Sequence, residues 1–232
     1  MRDGYPPPPF GPVIPGVFIY AAWRVDPARV GPFLRVSTAR AKALDGLREV
    51  AGSLAARSEV VGVNLFETTA IVPIPGAPQH DIVMLIHVRD VPAATALRGD
   101  ATITATNPAM TFTARNGARF GITDNGLPGS NVLLNHFTGT IEESSAVNAW
   151  RTLSAWFVAK TGIDNSTLLA PDLSAPYVLV NYARIPGTVA AFMARQLLRP
   201  SFYRYVRPLL ARHHLTSLPI FVRTIDLPGR PR

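Results

Sequence analysis

An internal repeat of about 100 residues limits the folds open to this chain more than any other feature. Residues 82–89, IVMLIHVR, align with residues 177–184, YVLVNYAR, so an apolar strand and the arginine that ends it occur twice. The elements predicted around both copies follow the order β-α-β-β-α-β, which is the ferredoxin-like order. One such half leaves one face of its sheet uncovered. Two halves can cover these faces by packing together, either within one chain or between two chains. The sequence therefore predicts an α+β fold of two tandem ferredoxin-like halves, with antiparallel sheets facing each other and helices outside.

The repeat divides the 232 residues into four parts. Residues 1–16 are rich in proline and glycine, which predicts an extended N-terminal arm without a core of its own. Residues 17–118 form the N-terminal half, and residues 132–227 form the C-terminal half. Residues 119–131 contain the run Asn-Gly-Leu-Pro-Gly, which is typical of a linker.

The periodicity of apolar residues predicts the elements of each half. In the N-terminal half, Asp26 followed by Pro27 is typical of a helix start, and the predicted helix continues to about Ala56. Residues 99–130 fit one or two strands and then the linker. The other elements are strands at 17–23, 60–71, 81–88, 131–138, 163–169, 177–183 and 219–225, and helices at 91–97, 142–160, 188–198 and 201–213.

Composition excludes several classes of protein. The chain has no cysteine, which excludes a disulfide scaffold, an iron–sulfur cluster and a thiol nucleophile. With 47% hydrophobic residues, the chain can bury a sizeable core. No apolar run approaches the length of about 20 residues that a membrane span needs, and the N-terminus lacks the pattern of a signal peptide. We therefore expect a cytoplasmic protein that does not bind a membrane.

The formal net charge of +8 lies entirely near the C-terminus. Residues 184–232 contain nine arginines and one acid, Asp226, whereas the charges of residues 1–183 cancel. No nucleic-acid-binding module is recognisable in this region, so we expect no nucleic-acid partner. No cluster of His, Asp and Glu has the spacing of a metal site, so we expect no bound metal.

Three short motifs carry a family resemblance. They are Val-Leu-Leu-Asn-His-Phe-Thr at 132–138, Ala-Trp at 149–150 and Val-Asn-Tyr-Ala at 180–183. With these motifs the C-terminal half resembles the antibiotic biosynthesis monooxygenase superfamily, whose members are small dimeric α+β barrel proteins. The N-terminal half matches that family only in its element order. Among tandem members, the chain is similar to the B-ring-opening oxygenases of the jadomycin, gilvocarcin and kinamycin pathways.

The resemblance implies an oxygenase that acts on an aromatic polyketide, such as an anthrone, a quinone or an angucycline-like phenol. The reaction would be ring hydroxylation or oxidative cleavage of a C–C bond. The anthrone-oxygenase branch uses two asparagines and a tryptophan, with molecular oxygen and no metal or organic cofactor. The asparagines correspond to Asn135 and Asn181, which we predict to be catalytic, but Ile185 stands where the tryptophan is expected. This departure leaves room for reduced flavin (FADH2) as a loosely held co-substrate, supplied by a flavin reductase.

The residues give independent support to the two asparagines. Strand alternation places Asn135 beside Leu133 and Phe137 on one face, and Asn181 beside Leu179 on a face of another strand. A carboxamide on an apolar face costs about 1–3 kcal/mol unless it is hydrogen-bonded. Two carboxamides there are able to hold a phenol or quinone oxygen and to stabilise an enolate-like charge. Alternatively, each asparagine bonds a loop or bulge backbone.

The N-terminal half lacks this pair. Its equivalent positions are Ala21 and Ile86, so we predict that this half is structural or forms one wall of the site. The predicted substrate contacts are Phe137, Trp150, Leu179, Tyr182 and His87. For His87 a general base, a haem ligand and a structural histidine all stay open.

Arg195 and Arg199 are four residues apart on one predicted helix. They either anchor a flavin pyrophosphate or an acidic substrate group, or form a solvated helix face. Two other functions on the same fold stay open, a non-catalytic binder of a hydrophobic aromatic ligand and a haem-handling protein. We also expect a homodimer, with the N-terminal arm and the aromatic residues 202–205 as contact surface.

Overall fold

The computed structural model describes residues 4–124 and 128–227. Residues 125–127, in the middle of the predicted linker, and residues 228–232 lie outside the described residues. The arm contains strand β1 (Phe10–Gly11). The N-terminal half contains β2 (Val17–Trp23), β3 (Arg29–Val30), β4 (Phe33–Leu34), α1 (Thr38–Ala55), β5 (Val60–Ile71), β6 (Ile82–Val88), α2 (Val91–Arg98), α3 (Ala101–Thr104) and β7 (Met110–Phe120).

Within its described residues, the C-terminal half follows the same order without a counterpart of the β3–β4 hairpin and with a π-helix between its last two α-helices. Its elements are β8 (Asn131–Gly139), α4 (Glu143–Thr161), β9 (Ser166–Pro171), β10 (Leu179–Arg184), α5 (Val189–Leu197), the π-helix (Phe202–Val206), α6 (Arg207–Arg212) and β11 (Leu215–Thr224). Among the described residues, no helix combines the length and the apolar character that crossing a membrane requires.

Eight strands form a closed antiparallel barrel. The order is β7-β2-β6-β5 in the N-terminal half and β11-β8-β10-β9 in the C-terminal half, so each half orders its own four strands 4-1-3-2. The two halves pair at both edges, β7 with β9 and β5 with β11. The two four-stranded sheets face each other across the barrel interior, where residues of both halves pack together. Their edge strands also pair, because closure satisfies the backbone groups that an open edge exposes.

The predicted start of the first helix is wrong. Residues 29–34 form the β3–β4 hairpin, and α1 begins after Ser37, whose hydroxyl accepts a hydrogen bond from the Arg40 N–H at 3.2 Å. The buried Asp81 carboxylate accepts hydrogen bonds from the backbone of Val25 and Asp26. These bonds hold residues 25–26 beside the start of β6, so no helix begins there. The first helix begins only after the β3–β4 hairpin.

Three hydrophobic clusters fill the molecule. One lies between the sheet and α1 and α2, one lies between the sheet and the helices of the C-terminal half, and one fills the barrel interior. Alternation along β8 decides which residues face which cluster. Leu133 and Phe137 face the helices, whereas Leu134 faces the barrel interior.

The π-helix has a local cause in the sequence. Pro208 has no N–H to donate to the carbonyl four residues earlier, so the α-helical ladder is interrupted there. The N–H of Arg207 donates instead to the carbonyl of Phe202, five residues back. As a result, the aromatic segment 202–205 forms a wider turn beside the sheet.

The N-terminal arm lies along β7 and against the C-terminal half of its own chain. Phe10 and Gly11 pair with Phe120 and Arg119 of β7. The Tyr5 ring packs edge-on against the ring of Tyr205, with 5.1 Å between centroids. The arm and this aromatic segment, predicted as a dimer contact, therefore contact each other within one chain.

Candidate functional site

A cavity of about 1140 Å³ lies between the sheet and the helices of the C-terminal half. Strands β8, β10 and β11 form its floor, and α4, α5, the π-helix and α6 form its walls. Aromatic and aliphatic side chains provide most of the lining, among them Phe120, Leu133, Phe137, Trp150, Leu153, Phe157, Met193, Phe202, Val206 and Phe221. Such a volume and lining suit a planar molecule of several fused rings.

The two predicted asparagines lie side by side on the floor of this cavity. Asn135 on β8 and Asn181 on β10 are direct cross-strand partners, and both side chains face the helices. Side chains of directly opposed residues lie about 5 Å apart at Cβ. Both asparagines are buried, at 7% and 8% exposure, so their carboxamides are shielded from bulk water but reach the cavity.

Hydrogen bonds fix the orientation of the Asn181 carboxamide. Its Oδ1 accepts the indole N–H of Trp150 at 2.9 Å and the hydroxyl of Ser166 at 2.5 Å. An indole N–H is only a donor, so the amide must present its oxygen to Trp150. The Asn181 NH2 group makes no hydrogen bond to any residue in the described part of the chain. It is therefore left as a donor toward the cavity.

Asn135 has the same arrangement through a different partner. The hydroxyl of Ser217 donates to Asn135 Oδ1 at 2.8 Å. Within residues 4–124 and 128–227, its NH2 group also has no protein acceptor. The site thus presents two adjacent amide donors in an apolar setting, which is the arrangement that stabilises negative charge on a substrate oxygen. Both asparagine oxygens are held by side chains, whereas the alternative interpretation expected backbone partners.

The other predicted substrate contacts separate into two groups. Phe137 and Trp150 line the cavity, and Leu179 packs in the hydrophobic cluster around it. Tyr182 faces the barrel interior instead, and its hydroxyl donates to Asp124 at 3.0 Å. Strand alternation explains this placement, because Tyr182 follows Asn181 directly and must face the opposite way.

His87 lies far from the cavity, in the N-terminal half. Its ring stacks on Phe18 with 4.4 Å between centroids, and its Nε2 bonds the Pro15 carbonyl at 2.8 Å. Gly16 makes this approach possible, since its φ of +89° turns the arm into β2, and a Cβ there would meet the Val88 carbonyl at 2.3 Å. The contacts of His87 are structural ones.

Neither Arg195 nor Arg199 lines the cavity. The Arg195 guanidinium donates to the Thr161 carbonyl at 3.4 Å, which ties α5 to the end of α4. Because neither arginine lines the cavity, the geometry does not support their predicted role at a flavin bound there.

The N-terminal half has no counterpart of the pair Asn135 and Asn181, as its sequence indicates. In the observed register Ala21 opposes Met84, and Ile86 opposes Ile19, so the two predicted equivalents are not partners of each other. All four residues are buried and apolar. Leucines of α1 pack against them and fill the space that is the cavity in the other half.

Sequence reasoning missed three features of the site. Ser217 was overlooked because β11 begins at Leu215, whereas the strand was predicted only from Pro219. Ser166 lies on a predicted strand, but only the register with β10 brings it to Asn181. His214 also lines the cavity, although a histidine at the end of a predicted helix ordinarily does no more than complement the helix dipole.

A buried histidine inside the barrel is separate from this site. His136 Nδ1 donates to the Leu218 carbonyl at 3.4 Å, and its Nε2 bonds the Tyr20 hydroxyl at 2.9 Å. Burial lowers the pKa of His136 to about 3, with a further contribution from nearby His80, so its ring is neutral at physiological pH. Burial also raises the pKa of Tyr20 well above its ordinary value.

Comparisons with known proteins identify solved structures of similar fold. No protein-family model matches the sequence, and no curated protein matches it. Solved structures do match. An anthrone oxidase-like protein has 11% identity and a TM-score of 0.62, with 92% of this chain and 96% of that chain covered. A candidate monooxygenase from Fusobacterium nucleatum has 5% identity and a TM-score of 0.58, covering 90% and 92%.

A candidate chlorite dismutase also matches, with 11% identity and a TM-score of 0.56 over 92% of this chain and 96% of that chain. The likeness is one of fold. This chain therefore has the α+β fold of these proteins, a closed antiparallel barrel covered by helices.

Proposed function

We propose that this protein is an oxygenase of aromatic polyketides in antibiotic biosynthesis, with an anthrone, a quinone or an angucycline-like phenol as substrate. The observation that carries the proposal is the pair of amide donors, Asn135 and Asn181, on the floor of a large apolar cavity. An anthrone oxidase-like protein and a candidate monooxygenase have a similar fold, which supports the proposal at that level only. Ring opening of the jadomycin, gilvocarcin and kinamycin type is the finer proposal.

The simplest reaction on this site is oxygenation of an anthrone. The substrate CH2 group loses a proton, and the enolate oxygen is held by the two amide groups. Molecular oxygen adds to the ring carbon, the adduct takes up a proton to form a hydroperoxide, and loss of water leaves a carbonyl group. One O2 is consumed and one water is formed, so no reductant is needed.

The proton needs an acceptor within the cavity. Among the described residues that line it, there is no carboxylate, and His214 provides the imidazole. Imidazole both accepts and returns a proton near neutral pH. We therefore assign proton transfer to His214.

Ring hydroxylation or C–C cleavage of a phenol needs two further electrons, which reduced flavin supplies when it is bound. In this proposal the flavin is a co-substrate and a separate flavin reductase is a partner. Both stay predictions, as does the cytoplasmic location. The test reaction is therefore run with and without reduced flavin.

A haem fits the cavity residues poorly. His214 would have to hold the haem iron, because the other histidines do not line the cavity in the part of the chain that the structure describes. A metal-bound histidine almost always donates its second N–H to an acceptor that fixes the ring. His214 has no such hydrogen bond to a described residue, so no step is assigned to haem.

Turnover by asparagine variants tests the proposed function. We expect purified protein to consume oxygen with an aromatic polyketide from a panel of anthrones, quinones and angucycline-like phenols. Asn135→Ala and Asn181→Ala should each lower kcat by about 10²–10³, the usual loss for one donor to a developing oxyanion. Asn148→Ala is the matched control, since Asn148 is exposed on α4, and it should keep wild-type turnover.

Three other outcomes of these experiments would lead to different conclusions. Near wild-type turnover by both asparagine variants would show that the site is assigned wrongly. Tight binding without turnover of any panel member, with or without reduced flavin, would favour a non-catalytic binder. A stoichiometric Soret band on titration with haem would favour a haem-handling protein.

A further inference from the structure

The mouth of the cavity is chemically different from its floor. The floor presents neutral amides among apolar side chains, whereas Arg207 lines the opening formed by the π-helix and α6. The Arg207 guanidinium lies 5.9 Å from the centroid of the Tyr203 ring, which also lines the cavity. A molecule that fills the cavity therefore meets the aromatic walls, the amide floor and the Arg207 side chain in one continuous space.

Arg207 has no carboxylate partner among the described residues, although seven ion pairs form elsewhere in that part of the chain. Between residues 184 and 225 there are seven arginines and no acidic residue. One of them, Arg223, pairs with Glu67 of another segment, but the arginines on the helices around the opening form no ion pair with a described residue. These helices therefore carry net positive charge, and such a field attracts anions to the mouth.

We propose that the substrate is an aromatic acid, whose carboxylate pairs with Arg207 at the mouth while its reacting ring oxygen is held by Asn135 and Asn181. This inference rests on the proposed function and extends it, because it names the substrate class. The planar guanidinium fork matches a carboxylate in a bidentate fashion. The two ends of the cavity then fix which end of the molecule reaches the amides.

Equilibrium binding tests this assignment without any turnover. The probes are anthraquinone-2-carboxylate and anthraquinone-2-carboxamide, which share one ring system and differ in charge. Quenching of tryptophan fluorescence reports binding, because Trp150 lines the cavity. We expect the wild-type protein to bind the carboxylate about fivefold more tightly at low ionic strength, which is the upper range for an exposed ion pair. Salt at about 0.5 M should remove most of this preference.

Substitutions of two arginines test whether Arg207 produces the preference for the carboxylate. Arg207→Gln should bind both probes equally, whereas Arg207→Lys should keep part of the preference because it keeps the charge. Arg204→Gln removes a neighbouring arginine that does not line the cavity, so it should keep the full wild-type preference. If Arg207→Gln and Arg204→Gln lose the preference for the carboxylate to the same extent, the assignment to Arg207 is wrong. The combined positive charge of several arginines would then explain the preference.

The failure of this inference is distinguishable from failure of the proposed function. If the wild-type protein binds both probes with equal affinity, the acid-binding mouth is wrong and the aromatic cavity stands. If neither probe binds, the cavity does not take fused aromatic rings, and both proposals fall.

Discussion

At the scale of single residues, the site depends on side chains that hold the asparagine oxygens. A free carboxamide rotates and exchanges its oxygen and NH2 positions, so an unsupported asparagine would present either group to a substrate. Trp150 removes that freedom at Asn181, and Ser217 holds the oxygen of Asn135. The direction of the two donors is therefore decided by neighbours that need not touch the substrate oxygen.

Replacing the Trp150 indole tests this support. We expect Trp150→Phe to lower kcat about fivefold to tenfold, because it removes one hydrogen bond worth about 1 kcal/mol while keeping an aromatic ring in place. Trp23→Phe is the control, since Trp23 makes its hydrogen bond to Thr106 in the other half. Steady-state kinetics with the panel substrate measure the effect. Equal kcat in the wild-type and Trp150→Phe proteins would contradict the positioning role.

The buried His136 makes stability depend on pH. Its pKa is about 3 in the folded protein and about 6.5 when unfolded, so between these values the unfolded chain binds a proton that the folded protein does not. Stability is therefore fully present above pH 6.5 and falls as the pH drops toward 3.

We expect His136→Gln to flatten this dependence, because glutamine does not titrate in that range. The free energy of unfolding of the wild-type protein should fall by up to about 1.4 kcal/mol per pH unit through this group. Urea unfolding at several pH values between 4 and 7 measures the slope. An unchanged slope in His136→Gln would refute the argument.

At the scale of elements, the N-terminal arm supports the helix that carries Trp150. Phe10 packs on the rings of Phe120 and Trp150, at 6.2 and 6.0 Å between centroids. The Arg151 guanidinium lies 5.0 Å from the Phe10 ring centroid. The arm thus joins β7 to α4, directly behind the indole that holds Asn181.

Removing the Phe10 ring should loosen this connection. We expect Phe10→Ala to lower the free energy of unfolding by about 2 kcal/mol, less than the loss for a fully buried phenylalanine because the ring is partly exposed. Val13→Ala in the same arm is the control, since Val13 is 55% exposed, and it should change stability by less than about 0.5 kcal/mol. Urea midpoints compare the two. If both variants have the same stability, the arm contributes nothing through Phe10.

At the scale of the whole molecule, the barrel closes within one chain. The pairings β7–β9 and β5–β11 complete the ring of strands, so closure needs no second subunit. Apolar residues remain exposed on and beside the β3–β4 hairpin, where Val30 is 62% and Phe33 is 43% exposed. This hairpin, rather than the N-terminal arm, offers the apolar surface for a second copy.

The homodimer stays a prediction, and a measurement of the molecular mass in solution tests this prediction. Light scattering during gel filtration should give twice the chain mass of 25.1 kDa. Phe33→Asp should then shift the protein toward the monomer, because it places a charge in the apolar contact. A mass of one chain at micromolar concentrations would show that the protein is a monomer.

The sequence by itself determined the repeat, the α+β class and the two asparagines on an apolar strand face, because periodicity and alternation are local properties. It also showed that the charge lies near the C-terminus. The start of α1, the placement of His87 and the roles of Ser166 and Ser217 were decided only by tertiary structure. Asp81, Pro15 and Asn181 are distant in sequence from the groups that they bond, and local patterns do not contain those pairings.

Barrel closure and the cavity also belong to the tertiary structure. Two four-stranded sheets with the same strand order are able to pack face to face, join at their edges or do both, and the sequence pattern is the same in each case. Whether a helix layer leaves space above the sheet depends on how side chains from several elements fill it. In the N-terminal half the leucines of α1 fill that space, and in the C-terminal half the π-helix and Arg207 border an opening.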